Sequence, residues 1–181
     1  MSTDTPHSSL NRLNNTGLKI LLSILVLLFL VQCSDNDDQR EFERQAMQTS
    51  EGITETDASG ALTGEHDPDD WRVAPYFQGL VVVDPAFPNP VLTNENVEIH
   101  ILITGQRSVM GLEAYVLHDG EGFRQLDFID QAPLPAGLSV IRFQAGRLGQ
   151  TPNPESALGM NRVLVFDRNG DIITYGDILV E

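Results

Sequence analysis

Residues 71–181 predict an all-β fold, an antiparallel β-sandwich of about seven strands, and three observations carry that expectation. Short runs of apolar and β-branched residues recur at regular intervals. Gly, Pro, Asn or Asp separates each run from the next. None of them shows the 3.6-residue repeat of an amphipathic helix, and one alternates with the two-residue period of a half-buried strand.

That alternating run is Val97–Ile103. Val97, Ile99, Ile101 and Ile103 share one face, and Glu98 and His100 share the other. Further strands are expected near 77–83, 112–118, 123–129, 138–145, 161–167 and 172–180. Two hairpins are written in their turns, His118-Asp-Gly-Glu-Gly-Phe123 and Asp167-Arg-Asn-Gly-Asp171, because Asp-Gly and Asn-Gly tolerate the positive φ of tight hairpin turns. The Asp-rich second turn has the flanks of a hairpin, VLVF and IITY, rather than those of a metal loop. Pro85, Pro88 and Pro90 fix φ and stop strand pairing, so 84–90 reads as a rigid loop leading into the Val97 strand. Strands of this number and spacing imply an immunoglobulin-like arrangement.

Upstream the composition changes twice, giving expected boundaries of 1–32, 33–70 and 71–181. The first segment is polar around Arg12 and Lys19 and then carries a solid apolar block over 20–31, or Leu18 to Val31 counted generously. A helix over that run would reach roughly 21 Å at a 1.5 Å rise. This is short of a ~30 Å hydrocarbon core, and is the length of a signal-peptide hydrophobic region. The second segment, 33–70, carries twelve Asp and Glu against Arg40 and Arg44, with few large apolar side chains. Such a segment is expected to be a disordered acidic tether, with a short helical stretch at Asp38–Gln48.

The apolar run ends Leu30-Val31-Gln32-Cys33, which resembles a bacterial lipobox. In that family a diacylglycerol joins the cysteine sulfur, the signal peptide is cut before the cysteine, and the new amino terminus is acylated. Gln32 departs from the Gly, Ala or Ser usual before the cysteine. The resemblance implies that Cys33 is a lipidation site, and two or three acyl chains give stable anchoring where one does not. An ordinary secreted protein or an uncleaved anchor is the alternative. A catalytic thiol would need a nearby base or positive field, which this stretch lacks. Ser34 after the cysteine argues against retention at an inner membrane. Asp35, Asp37 and Asp38 are similar to the short anionic signals of surface-exposed lipoproteins.

The chain carries a net charge of −15 and one cysteine. Without residues 1–32, nine arginines face 25 acidic residues. Nucleic-acid binding is therefore not expected, and an intramolecular disulfide or Cys-rich zinc cage is excluded. No cofactor is called for. Calcium is the one candidate ion, with Asp67, Asp69 and Asp70 in GEHDPDDW as oxygen donors, although the spacing is not that of an EF-hand.

A second resemblance begins at Phe87-Pro-Asn-Pro90. Together with Glu113-Ala-Tyr-Val-Leu-His-Asp-Gly120 and Arg162-Val-Leu-Val-Phe-Asp-Arg-Asn-Gly170, it makes 77–181 similar to type IX secretion C-terminal sorting domains and to the Ig-like domains of flagellar hook-capping proteins. The resemblance implies an Ig-like fold. It does not carry the sorting role, since the basic residues usual after the last strand are replaced here by Ile178-Leu-Val-Glu181.

Catalysis has little to draw on. His66, His100 and His118 read as surface residues, Ser108, Ser139 and Ser156 have no triad context, and there is no phosphate loop or HExxH. Acid–base work would fall to a carboxylate pair such as Asp127 and Asp130. The long loop 146–160, with Arg147, Asn153 and Met160, is the candidate binding edge. The sequence thus predicts a non-enzymatic, lipid-anchored protein of the bacterial envelope, at the outer membrane and facing either side of it. Its sandwich would be presented to an envelope protein or a glycan. A second reading is an accessory subunit of a secretion or other envelope machine, and a third is a small hydrolase using surface carboxylates.

Overall fold

The computed structural model describes residues 34–118 and 122–181. Cys33, the apolar run and the tip of the first hairpin lie outside the described residues. Among the described residues seven strands form two antiparallel sheets. They are β1 (Val81–Val83), β2 (Asn96–Ile103), β3 (Leu112–His118), β4 (Gly122–Ile129), β5 (Gly137–Gln144), β6 (Gly159–Phe166) and β7 (Ile172–Val180). One sheet has the order β1-β2-β5 and the other β4-β3-β6-β7, so the chain crosses between sheets after β2, β4 and β5. This is the interlocked connectivity of an Ig-like sandwich. Where one strand was expected over 77–83, a 3-10 turn at Pro75–Phe77 precedes a short β1, because Pro75 opens a helical turn rather than a ladder.

The core lies between the sheets. From β2 it takes Val97, Ile99, Ile101 and Ile103, from β5 Ile141 and Phe143, and from the facing sheet Ala114, Val116, Val163 and Val165. Glu98 and His100 point outward, as the alternation requires, and Glu98 bridges His100 at 3.0 Å and Arg142 at 2.5 Å. The second hairpin is fixed by its own aspartate. Asp167 Oδ1 accepts from the amides of Asn169 (2.9 Å) and Asp171 (3.1 Å), while Gly170 supplies the left-handed φ of 92°.

The acidic stretch corrects the expectation of a disordered tether over 33–70. From Asp38 onward the chain belongs to the compact unit that runs to Glu181. Helix α1 (Ser34–Ala46) has acidic residues throughout its first turns, which suits the positive end of its dipole, and Arg44 in its last turn. Gln39, Phe42 and Ala46 lie at i, i+3 and i+7 and are buried. Phe42 meets Tyr175 of β7 with ring centroids 5.0 Å apart. Beyond the helix, Thr54 and Thr56 are buried, and Thr56 exchanges backbone hydrogen bonds with Asn89 at 2.8 and 3.1 Å. Average hydropathy concealed this because a few well-placed anchors, rather than apolar mass, do the docking.

Residues 71–74 then run along the free edge of β7, where the Trp71 amide donates to Tyr175 O at 2.8 Å and the Ala74 amide to Ile173 O at 2.9 Å. Trp71 is buried at a φ of 58°, and a Cβ on Gly176 would overlap its indole. Two outcomes test this docking, both read by urea unfolding followed through the single tryptophan. Phe42→Ala lowers the unfolding free energy by about 3 kcal/mol, as for other buried Phe truncations, whereas an undocked helix leaves it unchanged. Gly176→Ala costs about 2 kcal/mol through overpacking and shifts the Trp71 emission.

Candidate functional site

The outer face of the four-stranded sheet is divided between a buried ion pair on β6–β7 and an aromatic cluster on β4, β3 and the end of β6. Register places Gln125, Tyr115, Leu164 and Tyr175 in one row and Phe123, Leu117, Arg162 and Asp177 in the next. Helix α1 covers the β6–β7 half, so β6 is buried on both faces and reads as the continuous apolar run Val163-Leu-Val165.

Under that cover Arg162 makes a two-pronged ion pair with Asp177, at 2.5 Å through Nε and 2.7 Å through Nη2. Its Nη1 donates to the carbonyls of Gln45 and Ala46 at 3.2 and 3.3 Å, satisfying acceptors left open by the end of α1. Its guanidinium lies 4.9 Å from the Tyr175 ring centroid. Asn89, with no exposed surface, donates to Thr54 O (3.1 Å) and Asp177 O (2.9 Å) and accepts from the Leu179 amide (3.0 Å). Asp70 accepts from the amides of Thr54 at 2.9 Å and Asp177 at 2.6 Å. Burial pushes its carboxyl up to about 7, against the pull of those two amides, and the charges of Asp177 and Asp67 push the same way.

Two clefts, of about 250 and 340 Å³, meet at Gln48, Thr49 and Arg162. Asp67, Asp69 and Asp70 border the larger one but do not chelate together. Asp70 is turned inward onto amides, Asp67 Oδ1 accepts from the Asp69 amide at 2.9 Å, and Asp69 lies 3.5 Å from Arg72. Among the described residues no group of three His, Cys, Asp or Glu converges on a metal position. Of the three anticipated calcium ligands, Asp70 is taken up by amides of the docked segment and β7.

The loop 146–160 contributes Met160, Gln150 and Ser156 to the smaller cleft. Its other candidates are spent on the loop and its neighbours. Arg147 donates to Gln125 O at 3.4 Å, and Asn153 Oδ1 caps the 3-10 turn Pro154–Ala157 through the Glu155 amide at 3.2 Å. His118, read from sequence as exposed, is buried beside this cleft. Asp127 and Asp130 are held apart by different partners, the Arg142 amide at 2.9 Å and the Arg168 guanidinium at 2.5 Å.

Among the described residues nothing covers the β3–β4 half of the same face, and there sequence reading missed a site. Tyr115, Phe123 and Phe166 come together edge to face, with centroids 5.6 to 6.3 Å apart. They line an open cleft of about 320 Å³ with Glu113 and Arg168. Tyr115 Oη donates to Glu113 Oε2 at 2.7 Å, which raises the phenol pKa because the carboxylate holds its proton. Phe123 is 48% exposed. The signal was available: aromatic residues occupy the outward register positions of three neighbouring strands, where a solvated sheet face carries polar ones.

No family model matches the chain, and no curated protein matches it. Among solved structures it is similar to a polysaccharide monooxygenase, CBM33, studied by X-ray photoreduction, with 13% identity and a TM-score of 0.37. The match covers 51% of this chain and 59% of that one, so the chain spans a little over half of the length of that structure.

The buried cluster makes two outcomes testable. Asp70 has its folded pKa raised above the unfolded value, so the folded state holds the proton more tightly. The stabilisation is full below about pH 4 and is lost as pH rises through about 7. Unfolding free energy measured across that window falls with a slope of about one proton, and the slope disappears in Asp70→Asn. Arg162→Met leaves Asp177 buried and unpaired and lowers stability by about 3 to 5 kcal/mol in the same assay.

Proposed function

We propose that this chain is a non-enzymatic, lipid-anchored envelope protein that presents one face of its sandwich for binding. The observation that carries the reading is the aromatic cleft of Tyr115, Phe123 and Phe166. Among the described residues nothing covers it, whereas the other half of the same sheet face is covered by α1. Exposed aromatic side chains with a few polar groups at their rim are the usual make-up of a binding site. Anchoring rests on Leu30-Val31-Gln32-Cys33. In this reading the acidic residues from Asp38 onward are part of the presented domain rather than a tether. The separate engagement of Asp127 and Asp130 and the His100–Glu98 pairing support a non-enzymatic role.

A second reading, an accessory subunit of an envelope machine, is favoured by the opposite sheet. Val82, Leu102 and Leu138 stand side by side across β1, β2 and β5, each about half exposed. Such a row suits a protein contact.

Intact mass and membrane fractionation of the native chain beside Cys33→Ser test the anchoring. The expected product begins at residue 33, carries acyl mass and sediments with membranes, and the serine variant loses all three properties. A native chain without added mass overturns the lipid anchor.

A further inference from the structure

We propose that the cleft between Tyr115, Phe123 and Phe166 binds a neutral saccharide, one or two sugar rings of a larger glycan. This rests on the reading of the chain as a binding module and names the chemical class of its ligand. A sugar ring has an apolar C–H face and a rim of hydroxyls that both donate and accept hydrogen bonds. It therefore fits a site that offers an exposed aromatic surface beside charged hydrogen-bonding groups. Phe123 supplies the surface. Glu113 keeps carboxylate acceptor capacity beyond its bond from Tyr115, and Arg168, 45% exposed at its side chain, supplies donors at the rim.

Size and position narrow the choice. At about 320 Å³ the cleft lies at the lower end of small-ligand sites, and a helix of roughly 10 Å diameter would not enter it. An extended peptide laid across the rings has no ladder to join, because β3 and β6 beneath the cleft are each paired on both sides, and the open edge of β4 lies beside the aromatic face rather than on it. A cage for a quaternary ammonium needs rings held apart around the cation. Here the rings close on one another edge to face, and Arg168 stands at the rim. Anionic sugars are disfavoured by Glu113, by Asp167 and by the net charge of −15. What remains is uncharged, ring-shaped and rich in hydroxyls.

The test uses the full chain solubilised in detergent. It is titrated with tetramers of glucose in several linkages, of mannose, of galactose and of N-acetylglucosamine, with polygalacturonate as the anionic comparison. The expected result is saturable binding of at least one neutral tetramer and none of polygalacturonate. Phe123→Ala weakens that binding at least about tenfold, roughly 1.4 kcal/mol, and Phe123→Trp restores it. Because Phe123 is half exposed, an unchanged unfolding midpoint in both variants separates lost binding from lost fold. Absence of binding to every neutral tetramer, or binding that Phe123→Ala leaves unchanged, overturns the proposal. A photo-crosslinking residue at position 123 in cells then separates the two levels. A protein adduct overturns the saccharide but keeps the binding module, while no adduct and no saccharide overturn both.

Discussion

Arg162 is a cation buried beneath a helix, and most of the architecture around it can be read as the means of keeping it satisfied. Its fork is filled by Asp177 on the neighbouring strand, and its remaining nitrogen reaches the last carbonyls of α1. Charges taken out of water in this way are stable only when geometry and hydrogen bonding are both complete. Completion recruits distant parts of the chain. The backbone of Asp177 is tied to Asp70 through its amide and to Asn89 through its carbonyl, and both of those side chains also hold Thr54. The helix, the acidic segment, the proline loop and β7 are thereby joined around one guanidinium.

This arrangement sets the division of labour on the sheet. Covering the β6–β7 half requires apolar and aromatic contacts such as Phe42 on Tyr175, and it removes that surface from any encounter with a ligand. Among the described residues nothing covers the β3–β4 half in this way, and there Tyr115, Phe123 and Phe166 stand beside Glu113 and Asp167. The opposite sheet carries an ion-pair network of Glu98, His100 and Arg142 together with the Val82–Leu102–Leu138 row. Each outer surface thus has its own chemistry on a shared core.

The sandwich was legible in the sequence because strand alternation is a local property. Val97 to Ile103 states its own burial, and Asn169-Gly170 states its own turn. The docking of residues 38–70 was not legible, since its affinity for the domain comes from residues such as Asp70 and Gln39 whose partners are far along the chain. An aspartate looks the same in a list whether it meets water, calcium or two backbone amides. For the same reason Asp67, Asp69 and Asp70 read as one cluster although their carboxylates do different tasks. Tyr115, Phe123 and Phe166 escaped notice because each looks ordinary on its own strand, and only the register of three strands makes them a site.

The cluster around Arg162 also orders events in time. A chain made from its N-terminus releases α1 and the acidic segment well before β6 and β7, the surface on which they dock, exist. Until Asp177 and Tyr175 are in place, α1 and the acidic segment lack the groups they pack against. The surface on which the N-terminal segment docks exists only once β6 and β7 have paired. Contacts of such long sequence separation are slow to form, because the loop between them must be closed before they repay its entropy. Like-charge repulsion among the acidic side chains of that segment opposes self-association while it is undocked.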